Sequence, residues 1–373
     1  MELQTIFKRY QNIEKILCDE QVKSCFIVHG HSFEQHRIYN ELCRIADDAE
    51  VEITHFGEYT SNPKVEEVQS GVELFKKENC DFIIAVGGGS AIDVAKCIKQ
   101  QINIGTRDKD EKNTENIDIN NSERKDYVKM LAIPTTAGTG SESTQFAVVY
   151  ENGEKKSVDD ASILPDYVIL DAELLRGLPL YQRKATMLDA LCQAIESIWA
   201  KRATVESQKL AAEAITAILD CYKEYLNDTD EGNIKMLVAA NLAGQAINIT
   251  RTTAAHAMSY KITSLYGAAH GHAVGACMKV IWKWMLEQYD VQTADEKLVR
   301  AYECITQAFG VNDIVEAYES YAKIFDEMEL TIESKATEEK IDILVDSVNV
   351  QRLSNHPVEL TRDNLRQLYG QIM

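Results

Sequence analysis

Residues 81–98 read DFIIAVGGGSAIDVAKCI. An apolar run ending at Val86 meets Gly87-Gly88-Gly89-Ser90, and an Ala-rich helical pattern begins near Ala91. Glycines at a strand-to-helix turn let backbone N–H groups approach a phosphate, and the helix N-terminus adds a favourable dipole. Alone, the triplet reads equally as a tight turn; its surroundings decide. Apolar runs at Cys25–Val28, Val51–Phe56 and Val128–Ile133 alternate with helical patterns over Phe33–Ala49 and Lys64–Glu78, the latter behind Asn62-Pro63 as cap and first helical residue. That rhythm predicts an α/β domain with a parallel sheet covered by helices.

A second loop supports the nucleotide reading. After the run ending at Ile133 comes Pro134-Thr135-Thr136-Ala137-Gly138-Thr139-Gly140-Ser141-Glu142, whose hydroxyls and exposed N–H groups suit a diphosphate, a ribose or a carboxamide. A Ser/Thr-rich turn is the plainer alternative, but two such loops after consecutive strands favour a nucleotide. Between them, Thr106–Asp126 is polar without apolar period and reads as a mobile surface excursion. Beyond Leu178-Pro179 the strand signals fade, and Ala-rich helical patterns such as Ser207–Tyr225 and Lys235–Ile249 take over. The predicted architecture is an α/β N-terminal dinucleotide-binding domain over residues 1–178 and an all-helical C-terminal domain over 179–373.

Composition narrows the function classes. With 373 residues and 45% hydrophobic content the chain is globular, and its net charge of -20 repels phosphate backbones and anionic membranes, which argues against nucleic-acid or membrane partners. An anionic substrate then needs a local basic pocket. The nine Cys form no CxxC pair or disulfide framework and read as reduced thiols, mostly core. Met1–Tyr10 has no apolar signal core and no window approaches a membrane span, so a cytoplasmic protein is expected.

The second half carries the candidate metal ligands. In MLDALCQAIE, 187–196, Asp189 and Gln193 lie four apart on one helical face, and both can offer oxygen to a cation. His256, His270 and His272, three of only eight His, fall within 17 residues, with Tyr260 on the helical face of His256. Each His singly reads as a satisfied core or surface residue. Together, Asp plus two imidazoles is a ligand set for Fe(II) or Zn(II) with a position open to a substrate oxygen.

The glycine loop with Asp93 and Lys96, the PTTAGTGSE run at 134–142 and the DAL..AIE run at 189–196 resemble the iron-containing alcohol dehydrogenases, from about Cys25 to the C-terminus. The resemblance implies a dehydroquinate synthase-like fold: a dinucleotide-binding domain, a helical metal domain and a cleft between them. It implies a metal held by Asp189, His256 and His270, with Gln193 standing where the family has a fourth, histidine ligand, and Tyr260 where it has a proton-transferring histidine. It also implies a homodimer or larger assembly.

Gln193, TTAAHAMSY at 252–260, His270-Gly271-His272 and RLSNHP at 352–357 are most similar to the phosphonoacetaldehyde-reducing members of the family. The implied reaction is NAD(P)H-dependent reduction of a small aldehyde, its carbonyl polarised by the metal. The cofactor falls to Gly87, Gly88, Gly89, Ser90, Asp93, Thr135, Thr136, Thr139 and Lys156, and the proton to Tyr260 or His272. Arg251, Lys261 and Arg352 are the candidate phosphonate binders. Gly30 stands where NAD-preferring relatives place an acid, so NADPH is expected to be accepted, with His31 and Ser32 near its 2'-phosphate. The rival readings are a general aliphatic alcohol or diol dehydrogenase, a dehydroquinate synthase-like lyase and a non-catalytic binding protein.

Overall fold

The computed structural model describes residues 4–30, 33–60, 63–110, 127–151, 154–332 and 337–373. The chain forms two compact units, Met1–Thr136 with Ser141–Leu175, and Ala137–Gly140 with Arg176–Met373.

The first unit contains β1 (Thr5–Phe7), α1 (Asn12–Asp19), β2 (Ser24–His29), α2 (Ile38–Asp48), β3 (Glu52–Phe56), α3 (Val65–Lys77), β4 (Phe82–Gly87), α4 (Gly89–Asp110), β5 (Lys129–Pro134), β6 (Phe146–Glu151), β7 (Glu154–Asp159) and β8 (Tyr167–Ile169). Six strands form a parallel sheet in the order β1-β8-β5-β4-β2-β3, and β6 and β7 form an antiparallel hairpin. Successive side chains of a strand point to opposite faces, so β2, β4 and β5, covered on both sides, read as unbroken apolar runs. Phe26, Val28, Ile83, Ala85, Met130 and Ala132 pack with Val68 and Val72 of α3 and Ile92 and Ile98 of α4. Their neighbours Ile27, Ile84, Val86 and Leu131 pack on the other face with Ile13 and Leu17 of α1 and Ile38 and Leu42 of α2.

Three expectations need correction. The helix expected over Phe33–Ala49 is a 3-10 turn at Phe33–Gln35 followed by α2. His36 Nε2 lies 3.0 Å from Leu174 O, and its Nδ1 accepts the Ile38 N–H at 3.4 Å, so the side chain restarts the helix. Pro63 does not open α3; Pro63 O accepts the Tyr150 N–H at 2.8 Å and Lys64 bridges to Tyr150, which keeps both residues extended until Glu67 takes the Lys64 N–H at 2.7 Å. The expected cap, Asn62, lies outside the described residues. The polar excursion does not begin at Thr106, because α4 continues to Asp110; residues 111–126 of it lie outside the described residues.

The second unit is helical, as expected: α5 (Leu180–Trp199), α6 (Val205–Leu226), α7 (Asp230–Thr250), α8 (Ala254–Tyr266), α9 (His270–Glu287), α10 (Glu296–Phe309), α11 (Ile314–Glu327), α12 (Glu338–Asp346), α13 (Val350–Ser354) and α14 (Arg362–Ile372). α5 is its axis, buried all round from Met187 to Trp199 and packed against α6, α7, α9 and α10. A helix apolar on every side is one enclosed by others, so Asp189, Gln193 and Glu196 are buried polar groups that require partners. At Gly271 a Cβ would stand 1.9 Å from Ala185 O, a close approach that seats the first turn of α9 directly on α5. All nine Cys are free, most of them buried. Among the described residues no helix is long and apolar enough to cross a membrane.

Candidate active site

In the first unit the chain leaves β2 toward β3 on one side and leaves β4 toward β5 on the other, so the sheet order reverses between β2 and β4. Open α/β sheets bind ligands outside the carboxyl ends of strands at such a switch point. Those ends are His29-Gly30 and Gly87-Gly88-Gly89. Gly87 has φ 152°, and a Cβ on it would meet Ala91 Cβ at 2.8 Å, so the turn into α4 needs glycine there. The hydroxyl-rich loop joins the cradle: Thr135 N donates to Gly87 O at 3.0 Å, and a Cβ on Gly88 would lie 3.3 Å from Thr136 Oγ1. Among the described residues a Cβ on Gly30 would meet nothing within 4 Å; His31 and Ser32 lie outside the described residues.

Asp93 and Lys96 bind the chain itself. Asp93 Oδ1 accepts the Ser141 hydroxyl at 2.5 Å and Oδ2 accepts the Val148 N–H at 3.0 Å. Lys96, fully buried, donates to Ser141 O, to Thr144 Oγ1 at 2.9 Å and to Phe146 O at 3.0 Å. Burial pulls its ammonium down to about 8, with Asp93 and Glu142 opposing. The pair pins residues 141–148 to α4. Lys156, exposed on β7, pairs with Glu151 across the hairpin.

In the second unit α5 turns Asp189, Gln193 and Glu196 to one side, at i, i+4 and i+7. α8 brings His256 and α9 opens with His270. His256 Nε2 lies 3.2 Å and His270 Nε2 3.8 Å from Asp189 Oδ1, and the candidate ligand atoms of the three residues lie within 4.8 Å of one another. Asp189 and His256 are buried, while the His270 side chain keeps 35% exposure, so the cluster is open on its His270 flank. Gln193 Nε2 donates to Thr139 O at 3.2 Å, which fixes the amide, and its Oε1 is buried with no hydrogen-bond partner among the described residues. A buried amide oxygen without a partner among the described residues, on the α5 face that carries Asp189, suits a divalent cation.

Electrostatics agree. Burial favours the neutral form of Asp189, but His270 and His256 outweigh it and hold the carboxyl below its usual range. Glu196 is likewise pulled down against burial by His256 and Thr253. Burial would lower His256; the two carboxylates beside it raise it instead. Two buried anions around one imidazole call for positive charge, which a proton or a metal ion can supply.

The ring of Tyr260 stacks on His270, centroids 5.5 Å apart at 6°. Arg352 Nη1 donates to Tyr260 Oη and, at 2.9 Å, to Thr252 Oγ1. Asn355 Nδ2 ties the end of α13 to Thr250 O at 2.9 Å and Thr252 O at 3.2 Å, which places Arg352 beside the cluster. Arg251 ends α7 at φ 66° and donates to Asn248 O, and Lys261 lies one residue, about 100°, round α8 from Tyr260. His272 is about 200° round α9 from His270; burial lowers its ring, its Nδ1 lies 3.3 Å from Tyr181 Oη, and its Nε2 is buried without a partner among the described residues.

Sequence reasoning gave Glu196 no role. Its Oε1 accepts the Thr253 hydroxyl at 2.7 Å and the Ala255 N–H at 2.8 Å, and its Oε2 lies 2.5 Å from His256 Nδ1. The available signal was an acid seven residues after Asp189, on its helical face, in a stretch, 187–199, that carries no Lys or Arg.

Comparison with known proteins agrees with this geometry. The family model for iron-containing alcohol dehydrogenase matches residues 5–172, and that for the Fe-containing alcohol dehydrogenase family, C-terminal, matches 184–373. The chain is 33% identical over 280 residues to the choline dehydrogenase of Bacillus subtilis, covering 74% of this chain and 67% of that protein. It is 32% identical over 203 residues to the phosphonoacetaldehyde reductase of Streptomyces viridochromogenes, covering 53% of this chain and 51%, about half, of that one. The crystal structure of sulfoacetaldehyde reductase from Bifidobacterium kashiwanohense in complex with NAD+ superposes with a TM-score of 0.84 at 27% identity, covering 99% of this chain and 96% of the other. The chain belongs to the iron-containing alcohol dehydrogenase family and is an oxidoreductase that works with NAD(P) and a divalent metal.

Proposed function

We propose that this enzyme reduces a small aldehyde bearing an anionic headgroup, with phosphonoacetaldehyde, converted to 2-hydroxyethylphosphonate, as the best-fitting substrate. The observation that carries this reading is Arg352, a guanidinium fixed through Tyr260 beside the Asp189–His256–His270 cluster in a chain of net charge -20. Its bonds to Tyr260 and Thr252 both leave from Nη1, and a guanidinium has five N–H donors, so the fork retains donors for a tetrahedral oxyanion. Two relatives are named for aldehydes of that kind, one a phosphonate and one a sulfonate.

Asp189, His256, His270 and the Gln193 amide oxygen would hold a cation, Fe(II) or Zn(II), which when bound would polarise the carbonyl toward hydride from a bound reduced nicotinamide. Gly87–Ser90 and the N-terminus of α4 hold the cofactor diphosphate, with Thr135 and Thr136 beside them. The space at Gly30 admits the 2'-phosphate of NADPH. Tyr260 gives the proton that completes the alcohol: Arg352 has no acceptor, so the phenol proton is not consumed in that contact.

The test is NADPH oxidation by the purified enzyme, with and without Fe(II) or Zn(II), on phosphonoacetaldehyde beside butanal. Metal-supported turnover of the phosphonate with little of butanal is expected. Equal turnover of both would leave a general aldehyde reductase, and none with either would remove the reductase assignment.

A further inference from the structure

The proposal concerns Glu196 and rests on the reading of Asp189, His256 and His270 as a cation site. Glu196 is fully buried on α5, and its two oxygens have separate partners. Oε1 takes the Thr253 hydroxyl and the Ala255 N–H, at the entrance to α8. Oε2 faces His256 Nδ1. Counting protons fixes the arrangement behind Oε1. Thr253 has one hydroxyl proton, given to Glu196, so Trp199 Nε1 at 3.2 Å and His356 Nδ1 at 3.3 Å must both donate to Thr253 Oγ1. The carboxylate is thereby held from behind by a hydroxyl that is itself held by two buried rings.

We propose that Glu196 is a positioning residue that keeps the proton of His256 on Nδ1 and so presents the Nε2 lone pair to the cation beside Asp189. A carboxylate is an acceptor only, so the His256 nitrogen facing it must carry the hydrogen. The other nitrogen, 3.2 Å from Asp189 Oδ1, is then the one available to a metal. An outer carboxylate of this kind fixes ring orientation and strengthens the imidazole as a donor.

A purely structural role, capping α8 through Oε1, makes a different prediction. In Glu196→Gln the amide oxygen still accepts from Thr253 and Ala255, but the NH2 group now faces His256 Nδ1. That forces the hydrogen to Nε2, where it bonds to Asp189. Such a variant keeps the cap on α8, with its metal face closed by a proton.

The experiment is titration of metal-free enzyme with Co(II), following the visible d–d spectrum, and competition with Zn(II), for native protein, Glu196→Gln and Glu196→Asp. The expected result is native-like circular dichroism for Glu196→Gln with metal affinity lower by about 10- to 100-fold and an altered Co(II) spectrum, and partial rescue in Glu196→Asp. Native affinity and spectrum in Glu196→Gln would overturn the proposal while leaving the cation site intact; failure of the native protein to bind Co(II) or Zn(II) would remove both. Should Glu196→Gln not fold, Thr253→Val against Thr253→Ser decides. A loss of Co(II) affinity in the valine variant that serine restores supports the proposal, and equal affinity in both overturns it.

Discussion

The guanidinium of Arg352 lies over the ring of Tyr260, its Cζ 4.9 Å from the centroid, and that ring in turn stacks on His270. A fixed positive group and a candidate metal ligand are therefore joined through one aromatic plane. Arg352→Ala is expected to raise KM for phosphonoacetaldehyde about 10- to 100-fold, the scale of a lost charged hydrogen bond, with little change for butanal. Arg352→Lys should recover only part, because an ammonium lacks the planar fork. Equal effects on both aldehydes in steady-state kinetics would remove Arg352 from the headgroup site.

Gln193 offers the weakest donor of the four. Replacing it by histidine puts an imidazole nitrogen where an amide oxygen stands, so Gln193→His should bind Zn(II) more tightly, on the order of tenfold or more. Gln193→Leu should bind it less tightly than native. Competition against a chromophoric chelator reads both, and an unchanged affinity in both variants would show that residue 193 does not reach the cation.

At Gly271 the obstacle to a side chain is backbone: a Cβ would stand 1.9 Å from Ala185 O and 2.8 Å from Asp189 Cβ. Gly271→Ala must push α9 from α5, separating His270 from Asp189, and should lower both Tm and metal affinity, by about 1–3 kcal/mol in stability. Gly370, within α14, has nothing among the described residues within 4 Å of its added Cβ, so Gly370→Ala should instead stabilise by about 0.5–1 kcal/mol. Thermal unfolding of the pair separates steric cost from helix propensity.

These residues show what the sequence could and could not tell. β2, β4 and β5 were legible because strands covered on both faces must be continuously apolar, whereas β1 and β8 have three residues each and carry no period. The break in the helix expected at Phe33 depends on His36 reaching Leu174, a partner 138 residues away. Asp93 stood beside the glycine loop and read as a cofactor contact, yet its carboxylate accepts from Ser141 and Val148, next to the Lys96 ammonium that holds Thr144 and Phe146, because a parallel sheet brings consecutive βα loops together. The histidines of the metal cluster were conspicuous by their clustering. Glu196 was not, because one acid in a helix reads as a surface residue until that helix proves to be enclosed.

Protons and metal should compete at His256. In the metal-free protein the carboxylates of Glu196 and Asp189 raise His256, against burial, from 6.5 to about 9. A raised folded value means that the protonated ring contributes stability fully present below about pH 6.5 and lost as pH rises through about 9. A cation at Nε2 must displace that proton, while the Nδ1 proton stays with Glu196. Zn(II) affinity should therefore climb with pH, by about tenfold per unit for a one-proton exchange, and level off above pH 9. The gain in Tm on adding metal should be larger at pH 8.5 than at pH 6.5. Calorimetric titration in buffers of different ionisation enthalpy would detect the released proton directly; an affinity flat across this range, with no proton released, would show that His256 already presents a bare Nε2 and that the buried carboxylates do not hold a proton there.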